Sequence, residues 1–397
     1  NRCGEVVLAF TPEEQECLRI LKDRGEEIGV PGLEILEGPE IHRLEPQVAS
    51  DALAALHMPT AGVFNPFDLV QAFYENAAEN GVLMWVETEV SGIIPEKGRF
   101  LVETDREEID AAFVVNAAGL YAQKVAEMAG ADDLVIQYPT KSTCFILDKA
   151  VSDTVSRIVT GFTDLKAFYR FKAVIPTFGG NLLLYTTIPE PAHGIEDRDL
   201  EKRTFQITCK SVGALVPGLD FERHIIASFS GLTARNVRGD FIIEASKGFE
   251  RFIHVALPPP GITSSPAIGR RVAEILREKG LALEEKADFN PYRKRIRSVR
   301  KASPEDMSRW VKEDARYGRV VCRCEKVTEG EILEAIGRGA STLDGVKFRT
   351  RAGMGRCQGN FCTPPIVDLL AQGMKCPVEG VTKKGKGSNL LMDKKPR

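Results

Sequence analysis

Val114-Val115-Asn116-Ala117-Ala118-Gly119 decides how the front of this chain folds. Residues 109–115 end in a β-branched run, which reads as a buried strand. The small residues Ala117, Ala118 and Gly119 then form a turn, and a helical pattern follows to about Gly130. Small side chains at such a turn let backbone come close to a flat ligand. By itself the unit is equally ordinary α/β packing. A second unit of this kind lies at Pro258-Pro259-Pro260-Gly261, where a strand over 252–256 breaks and a helix over about 264–278 begins. Gly261, Ile262 and Thr263 stand at its mouth, where free N–H groups and the positive end of the helix dipole face outward.

Working outward, Thr11-Pro12-Glu13-Glu14 opens a helix with Thr11 as cap and Glu14 as its capping-box partner. Asn65-Pro66 opens another, which runs to about Asn80 and stops at Gly81. A strand is expected over 82–90, continued by 91–94, then a turn at Glu96-Lys97-Gly98 and a strand over 100–103. From 141 to 256 the pattern changes to short apolar, β-branched runs (143–147, 182–188, 224–229, 241–244, 252–256). One helix, about 199–214, interrupts them. Residues 284–318 are charged and hold Pro291 and Pro304, which predicts a linker.

At 397 residues and about 150 per domain, two to three domains are expected. Hydrophobic residues make up 43% and charged residues 27%, which excludes a disordered, collagenous or coiled-coil chain. No apolar run approaches the length of a membrane-spanning helix. A net charge of -3 carries no signal for nucleic acid. The nine cysteines are an odd count, and five of them are scattered. That predicts a reduced, cytoplasmic chain with one ligand cluster rather than a disulfide framework. The chain begins Asn1-Arg2-Cys3 without a signal segment and enters a strand-like run at once, which suggests a lost front end.

The cluster is Cys322-x-Cys324 followed, after 32 residues, by Cys357-x4-Cys362. Four thiolates at such local spacings make a metal or iron–sulfur site. Thr328-x-x-Glu331 is a capping box just after the first pair, and Thr363-Pro364 is expected to cap a helix just after the second. Both pairs therefore lie near helix N-termini, where anionic sulfur is stabilised. From Arg316 onward there are 16 Lys or Arg against 8 Asp or Glu, a local excess of +8 in a chain of net -3. Cations beside an anionic 2Fe–2S centre stabilise it. Zinc remains the alternative, although zinc pairs more often leave two residues between ligands.

Val320-Val321-Cys322-Arg323-Cys324-Glu325, with Gly353-Met354-Gly355-Arg356-Cys357-Gln358-Gly359 and Phe361-Cys362, resembles the bacterioferritin-associated-ferredoxin-type 2Fe–2S domain. The likeness covers about 319–373 and implies a small helical module binding a 2Fe–2S cluster through Cys322, Cys324, Cys357 and Cys362. The first 285 residues resemble the D-amino-acid-oxidase-type FAD oxidoreductases, nearest the anaerobic-type glycerol-3-phosphate dehydrogenase and L-2-hydroxyglutarate oxidase branch. The segments that carry this likeness are, in order, Pro59-Thr60-Ala61-Gly62-Val63-Phe64-Asn65-Pro66, Val114 to Gly119, Phe229-Ser230-Gly231-Leu232, Gly239-Asp240-Phe241-Ile242-Ile243-Glu244 and Pro260-Gly261-Ile262-Thr263-Ser264-Ser265-Pro266-Ala267.

The resemblance implies a mixed α/β fold. An incomplete FAD/NAD(P)-binding Rossmann-like domain would occupy 1–285, with antiparallel substrate-domain segments at about 1–60 and 136–228. A linker at 286–318, the cluster module at 319–373 and a basic tail at 374–397 would follow. The phosphate-binding G-x-G-x-x-G is absent from these residues, so this stretch alone is expected to hold FAD weakly. The implied FAD contacts are Val90, Asn116, Ala117, Ala118, Gly119, Gly261, Ile262 and Thr263. Relatives often place Arg after Gly-Leu to bind an acidic substrate group. Here that position is Thr233, and Arg235 would face the same side of a strand. His57 is a candidate acceptor of a substrate hydroxyl proton, though a lone histidine is more often structural.

The expected activity is FAD-dependent oxidation of a small anionic 2-hydroxy compound. Glycerol 3-phosphate is the first expectation and a 2-hydroxy acid such as L-2-hydroxyglutarate the second. Electrons would leave through the cluster to an acceptor protein or quinone. The alternatives are an electron-transfer or scaffold subunit whose flavin site is completed by a partner subunit or a separate N-terminal fragment, and a zinc-stabilised interaction domain. The basic Lys383-Lys384-Gly385-Lys386 is a candidate contact for a partner or for the inner face of a membrane, as a peripheral association.

Overall fold

The computed structural model describes residues 1–165 and 171–391, and their side chains except at 137–139 and 187–191. The largest element is an eight-stranded sheet in the order Ile225–Asn236, Ile136–Leu147, Leu182–Pro191, Phe171–Pro176, Ile158–Phe162, Glu5–Ala9, Ala54–Met58 and Glu34–Glu37. Every pairing is antiparallel except that of Glu5–Ala9 with Ile158–Phe162. Glu5–Ala9 lies inside the sheet and is covered on both faces. Val6 and Leu8 enter one cluster with Phe145, Leu184 and Val212. Val7 and Ala9 enter another with Leu18, Leu56 and Phe162. That is the period-2 alternation of a strand buried on both sides. Helix Pro12–Glu27 covers the second face through Cys17 and Leu18. Helix Lys202–Gly213 covers the first through Val212. Each fully buried Leu contributes about 1.5–3 kcal/mol.

The caps follow the sequence. Thr11 Oγ1 accepts from Glu14 N at 3.2 Å, while the Glu14 carboxylate reaches Phe10 N instead of its cap partner. Asn65 Oδ1 accepts from Phe67 N at 3.2 Å and opens helix Pro66–Glu79.

A small sheet holds Ile242–Ala245, Phe252–Ala256 and Val114–Asn116, the last two parallel. Beside it lies the meander Val90–Glu96, Arg99–Thr104 and Glu108–Ala111. Ile93, Phe100, Ala122, Leu134 and Phe252 pack together between them.

Some expectations are corrected. The strand expected over 82–90 begins only at Val90. Val82, Leu83 and Val86 are 53%, 81% and 69% exposed, and no described strand offers them an edge. An apolar run becomes a strand only by pairing. The strand expected over 109–115 is two short ones, and Val115 is 41% exposed. The helix expected from 264 starts at Gly261.

The last third forms a hairpin, Val320–Cys322 with Val327–Thr328, and helices Glu329–Gly337, Leu343–Thr350 and Thr363–Met374 around Ile332, Val346, Ile366 and Leu370. The preceding stretch is more than a spacer. It contains helix Pro304–Glu313, and Ile296 packs on the terminal module's core. Arg293 pairs with Glu75 at 2.5 Å, and Phe67 stacks on Phe348 at 4.2 Å. These contacts dock the module on helix Pro66–Glu79. No described helix is long and apolar enough to cross a membrane.

Candidate functional site

The four cysteines come together in two pairs. Cys324 Sγ lies 3.6 Å from Cys357 Sγ, and Cys322 is hydrogen-bonded to Cys362. Two sulfurs on one tetrahedral metal ion, each at about 2.3 Å, are separated by roughly 3.8 Å. A single zinc ion needs its ligands around one point, yet no three described His, Cys, Asp or Glu side chains converge to hold one ion. Two irons joined by bridging sulfides take two thiolates each. The paired arrangement fits that group.

The backbone prepares the sulfurs for negative charge. The Cys362 thiol donates to Cys322 and, against the effect of burial, brings its pKa down to about 6, helped by the N–H groups of Gly353 and Glu325. The thiol of Cys362 is pushed up in return. Burial opposes ionisation of Cys357, but the N–H groups of Phe361, Gly359 and Asn360 and the Cys324 thiol outweigh it and lower its pKa. N–H donors aimed at sulfur also raise the reduction potential of a cluster held there. A Cβ on Gly355 would collide with Cys324, so glycine is required there.

The capping box at Thr328 and Glu331 is present, with Thr328 N donating to Glu331 Oε2 at 2.8 Å. At the second pair the cap is Cys362 itself and Thr363 is the first helical residue, which places this sulfur directly at the helix N-terminus.

The second site forms at the end of the small sheet. Phe252 lies opposite Val114 and His254 opposite Asn116 in the parallel pair. The turns Ala117 to Gly119 and Leu257 to Gly261 therefore leave the same end, the carboxyl end, where open α/β sheets bind ligands. Asn116 is buried and sets the first turn: Nδ2 donates to Ala122 O at 2.7 Å, and Oδ1 accepts from Ala118 N at 3.3 Å. Ala117 and Ala118 are exposed, and Gly119 takes φ 59°. Helix Gly261–Glu278 opens at Pro260 with no side-chain cap, which leaves its first N–H groups available. Thr263 lines a cleft of about 750 Å³ with Phe64, Asn65, Asp68 and Phe178. Exposed small residues beside free N–H groups fit a flat ring that carries negative charge.

The other expected residues lie elsewhere. Val90 pairs with Thr104 and packs on the cluster around Phe100 and Phe252. His57 sits in Ala54–Met58 between Val6 and Glu34, outside the lining of the Thr263 cleft. Burial and the nearby Arg157 lower its pKa, against Glu34. The register slips opposite Thr233 and Arg235, where three steps of Ile136–Leu147 face two here, so the extra residue lies on the partner strand and Thr233 and Arg235 keep their i, i+2 spacing. Arg235 Nε donates to Thr140 Oγ1 at 3.2 Å, and its charge reaches Tyr185.

Glu325 is the residue that sequence reasoning missed. Its carboxylate is fully buried and takes Lys149 at 2.7 Å, Arg351 at 3.0 Å and Arg300 at 3.6 Å. A lone acid directly after Cys-x-Cys in a basic segment was its only signal.

These two sites belong to a flavin-dependent redox protein with its own one-electron centre. Residues 1–275 match the FAD dependent oxidoreductase family, and residues 320–372 match the BFD-like [2Fe-2S] binding domain. The chain belongs to that oxidoreductase family, and its cofactors are FAD and a 2Fe–2S cluster. The glycerol 3-phosphate dehydrogenase of Caloramator mitchellensis is 35% identical over 407 residues, covering 98% of this chain and 81% of that protein. An anaerobic glycerol-3-phosphate dehydrogenase subunit from Escherichia coli K12 is 24% identical over 391 residues, covering 87% and 69%. Among solved structures, glycine oxidase from Geobacillus kaustophilus superposes with a TM-score of 0.61 at 25% identity, covering 72% of this chain and 73% of that one. The FAD-bound L-alpha-glycerophosphate oxidase from Mycoplasma pneumoniae shares the fold with a TM-score of 0.64 at 24% identity, covering 72% and 75%.

Proposed function

We propose that the chain oxidises glycerol 3-phosphate at its secondary alcohol and passes the electrons through the 2Fe–2S domain to an acceptor protein or quinone. The supporting observation is the likeness to the Caloramator dehydrogenase over 98% of the chain, which takes in both the Thr263 cleft and the four cysteines. Bound FAD supplies hydride acceptance, and the cluster supplies one-electron transfer. The protein's part is to hold and to orient. Ala117 to Gly119 give the ring a close backbone floor, and the turn is fixed by Asn116. The first N–H groups of Gly261–Glu278 stabilise negative charge on the ring. Arg235, held by Thr140, is the proposed contact for the substrate anion. Cys322, Cys324, Cys357 and Cys362 hold the cluster. His57 lies outside the cleft and receives no step. Relatives named as subunits support assembly with an electron-accepting partner.

The test is anaerobic purification of the full chain, followed by flavin, iron and sulfide analysis and dye reduction by glycerol 3-phosphate and by L-2-hydroxyglutarate. Faster reduction by glycerol 3-phosphate supports the reading. Preference for the hydroxy acid moves the substrate, and reduction by neither returns the chain to an electron-transfer subunit. Arg235→Gln is expected to raise KM with little change in kcat, the mark of uniform binding.

A further inference from the structure

The stretch from 293 to 301 runs between the flavin region and the cluster module and crowds basic side chains into one pocket. It supplies Arg293, Arg295, Arg300 and Lys301, while Arg349 and Arg351 come from the end of helix Leu343–Thr350. Asp68 and Glu325 are the acids in the same lining and Glu75 stands behind Arg293, so six cations face three carboxylates. Like charges held this close repel one another unless an anion offsets them.

Three of the six are already engaged. Arg293 pairs with Glu75 at 2.5 Å, Arg351 with Glu325 at 3.0 Å, and Arg300 donates to Gly179 O at 3.1 Å with Glu325 at 3.6 Å. The other three have donors to spare. Arg295 makes no hydrogen bond or ion pair among the described residues. Lys301 Nζ rests over the Phe178 ring at 3.7 Å and feels Asp68, but makes no close ion pair among the described residues. Arg349 donates to Gly345 O at 3.2 Å, but its Nε is buried without an acceptor. Burial, with the charge of Arg351 and against Glu325, Glu331 and Asp68, lowers the pKa of Arg300. Burial, with Arg300, Arg295 and Arg351 and against Asp68, lowers that of Lys301. Both would be relieved by an anion.

Size narrows the ligand. The pocket is small, about 100 Å³, which suits a phosphate-sized ion. Asn65, Asp68, Phe178, Arg293 and Arg295 also line the larger cleft that Thr263 enters, so the two spaces join.

We propose that this pocket is a phosphate site, in which Arg295, Lys301 and Arg349 grip a phosphoryl dianion at the junction of the flavin and cluster regions. Arginine forks and a lysine point charge are the usual grip on such a group. The dianion has two sources: inorganic phosphate, or a phosphomonoester with its head here and its carbon end toward Thr263. The second source rests on the proposed function and would make this pocket, rather than Arg235, the anchor.

Calorimetric titration of the anaerobically prepared full chain with inorganic phosphate, at fixed ionic strength and against a chloride control, tests the site. Saturable binding is expected. Arg295→Gln and Lys301→Gln should each weaken it about tenfold or more, with iron content and visible spectrum kept as the check on folding. If glycerol 3-phosphate displaces phosphate and Arg295→Gln raises KM but not kcat, the phosphomonoester is the ligand. If there is no displacement and KM is unchanged, inorganic phosphate is the ligand, and the site stands in both cases. No saturable binding, or equal affinity in wild type and both variants, overturns it. A chain that fails to oxidise glycerol 3-phosphate still reports on phosphate, so the two ideas fail separately.

Discussion

Lys149 Nζ donates to Glu325 Oε1 at 2.7 Å across 176 positions of sequence. Glu325 directly follows Cys324. On the other side, Arg356 directly precedes Cys357 and donates to Asp148 Oδ1 at 2.8 Å. Adjacent residues of the sheet domain, one basic and one acidic, thus hold both cluster loops with opposite polarity. This fixes the orientation of the module as well as its attachment.

The two arms differ in weight. The Glu325 side chain is 0% exposed, whereas that of Arg356 is 66% exposed. Glu325→Gln leaves Lys149, Arg300 and Arg351 facing one another without their anion, and should cost about 3 kcal/mol or more. Arg356→Gln removes a largely solvated cation from Asp148, which keeps the Ala150 N–H, and should cost about 1 kcal/mol. Denaturant midpoints followed by cluster absorbance measure both. Equal losses would remove the distinction between a buried clamp and a surface contact.

The cluster assignment makes a ligand-by-ligand prediction. Serine at Cys322, Cys324, Cys357 or Cys362 should abolish or sharply reduce bound iron and labile sulfide. Serine at Cys376, which packs on the same core but makes no hydrogen bond to the other four sulfurs, should leave both at wild-type level. Iron, zinc and sulfide analysis of the five variants reads this directly, and zinc without sulfide in the wild type would sink the iron–sulfur assignment.

Asn116→Ala should act at a distance of one turn. It removes the side-chain donor to Ala122 O at a buried position and frees Ala118 N. The cost is about 1–3 kcal/mol of stability. Flavin retained after gel filtration should fall further than that loss alone explains if the turn floors the ring as proposed, because the turn is no longer set.

Local rules carried much of this structure. Thr11, Asn65 and Thr328 cap helices through their own side chains, as short-range spacing requires. The grouping of the four cysteines follows from spacing as well, although the sulfurs pair across the two motifs, Cys324 with Cys357 and Cys322 with Cys362. What was hidden is long-range. The run 82–89 has strand composition, but pairing decides strands, and composition does not show where an edge lies. The slip between Thr233 and Arg235 is a bulge, set by two strands together. Glu325 finds Lys149 only after folding. The chain at 293–301 looked like a spacer because charge suggests solvation, yet its arginines line a pocket.

Asp133 provides the pH test. Its Oδ1 accepts from Ser246 Oγ at 2.7 Å and lies 3.2 Å from His254 Nε2, while Oδ2 accepts from Lys247 N at 2.9 Å. Burial alone would raise its pKa, but these partners outweigh it and bring the value from 3.8 down to about 2. A carboxyl depressed by folding adds stability that is fully present above its unfolded pKa and is lost as pH falls toward the folded value. Between about pH 5 and 2 the wild type should therefore lose stability that Asp133→Asn never had, and the two should converge near pH 2. Amide exchange in Phe252–Ala256, compared between the proteins at each pH, reads this independently of the acid-labile cluster. A gap that stays constant down to about pH 2 would show that the Asp133 charge does not hold this corner of the small sheet.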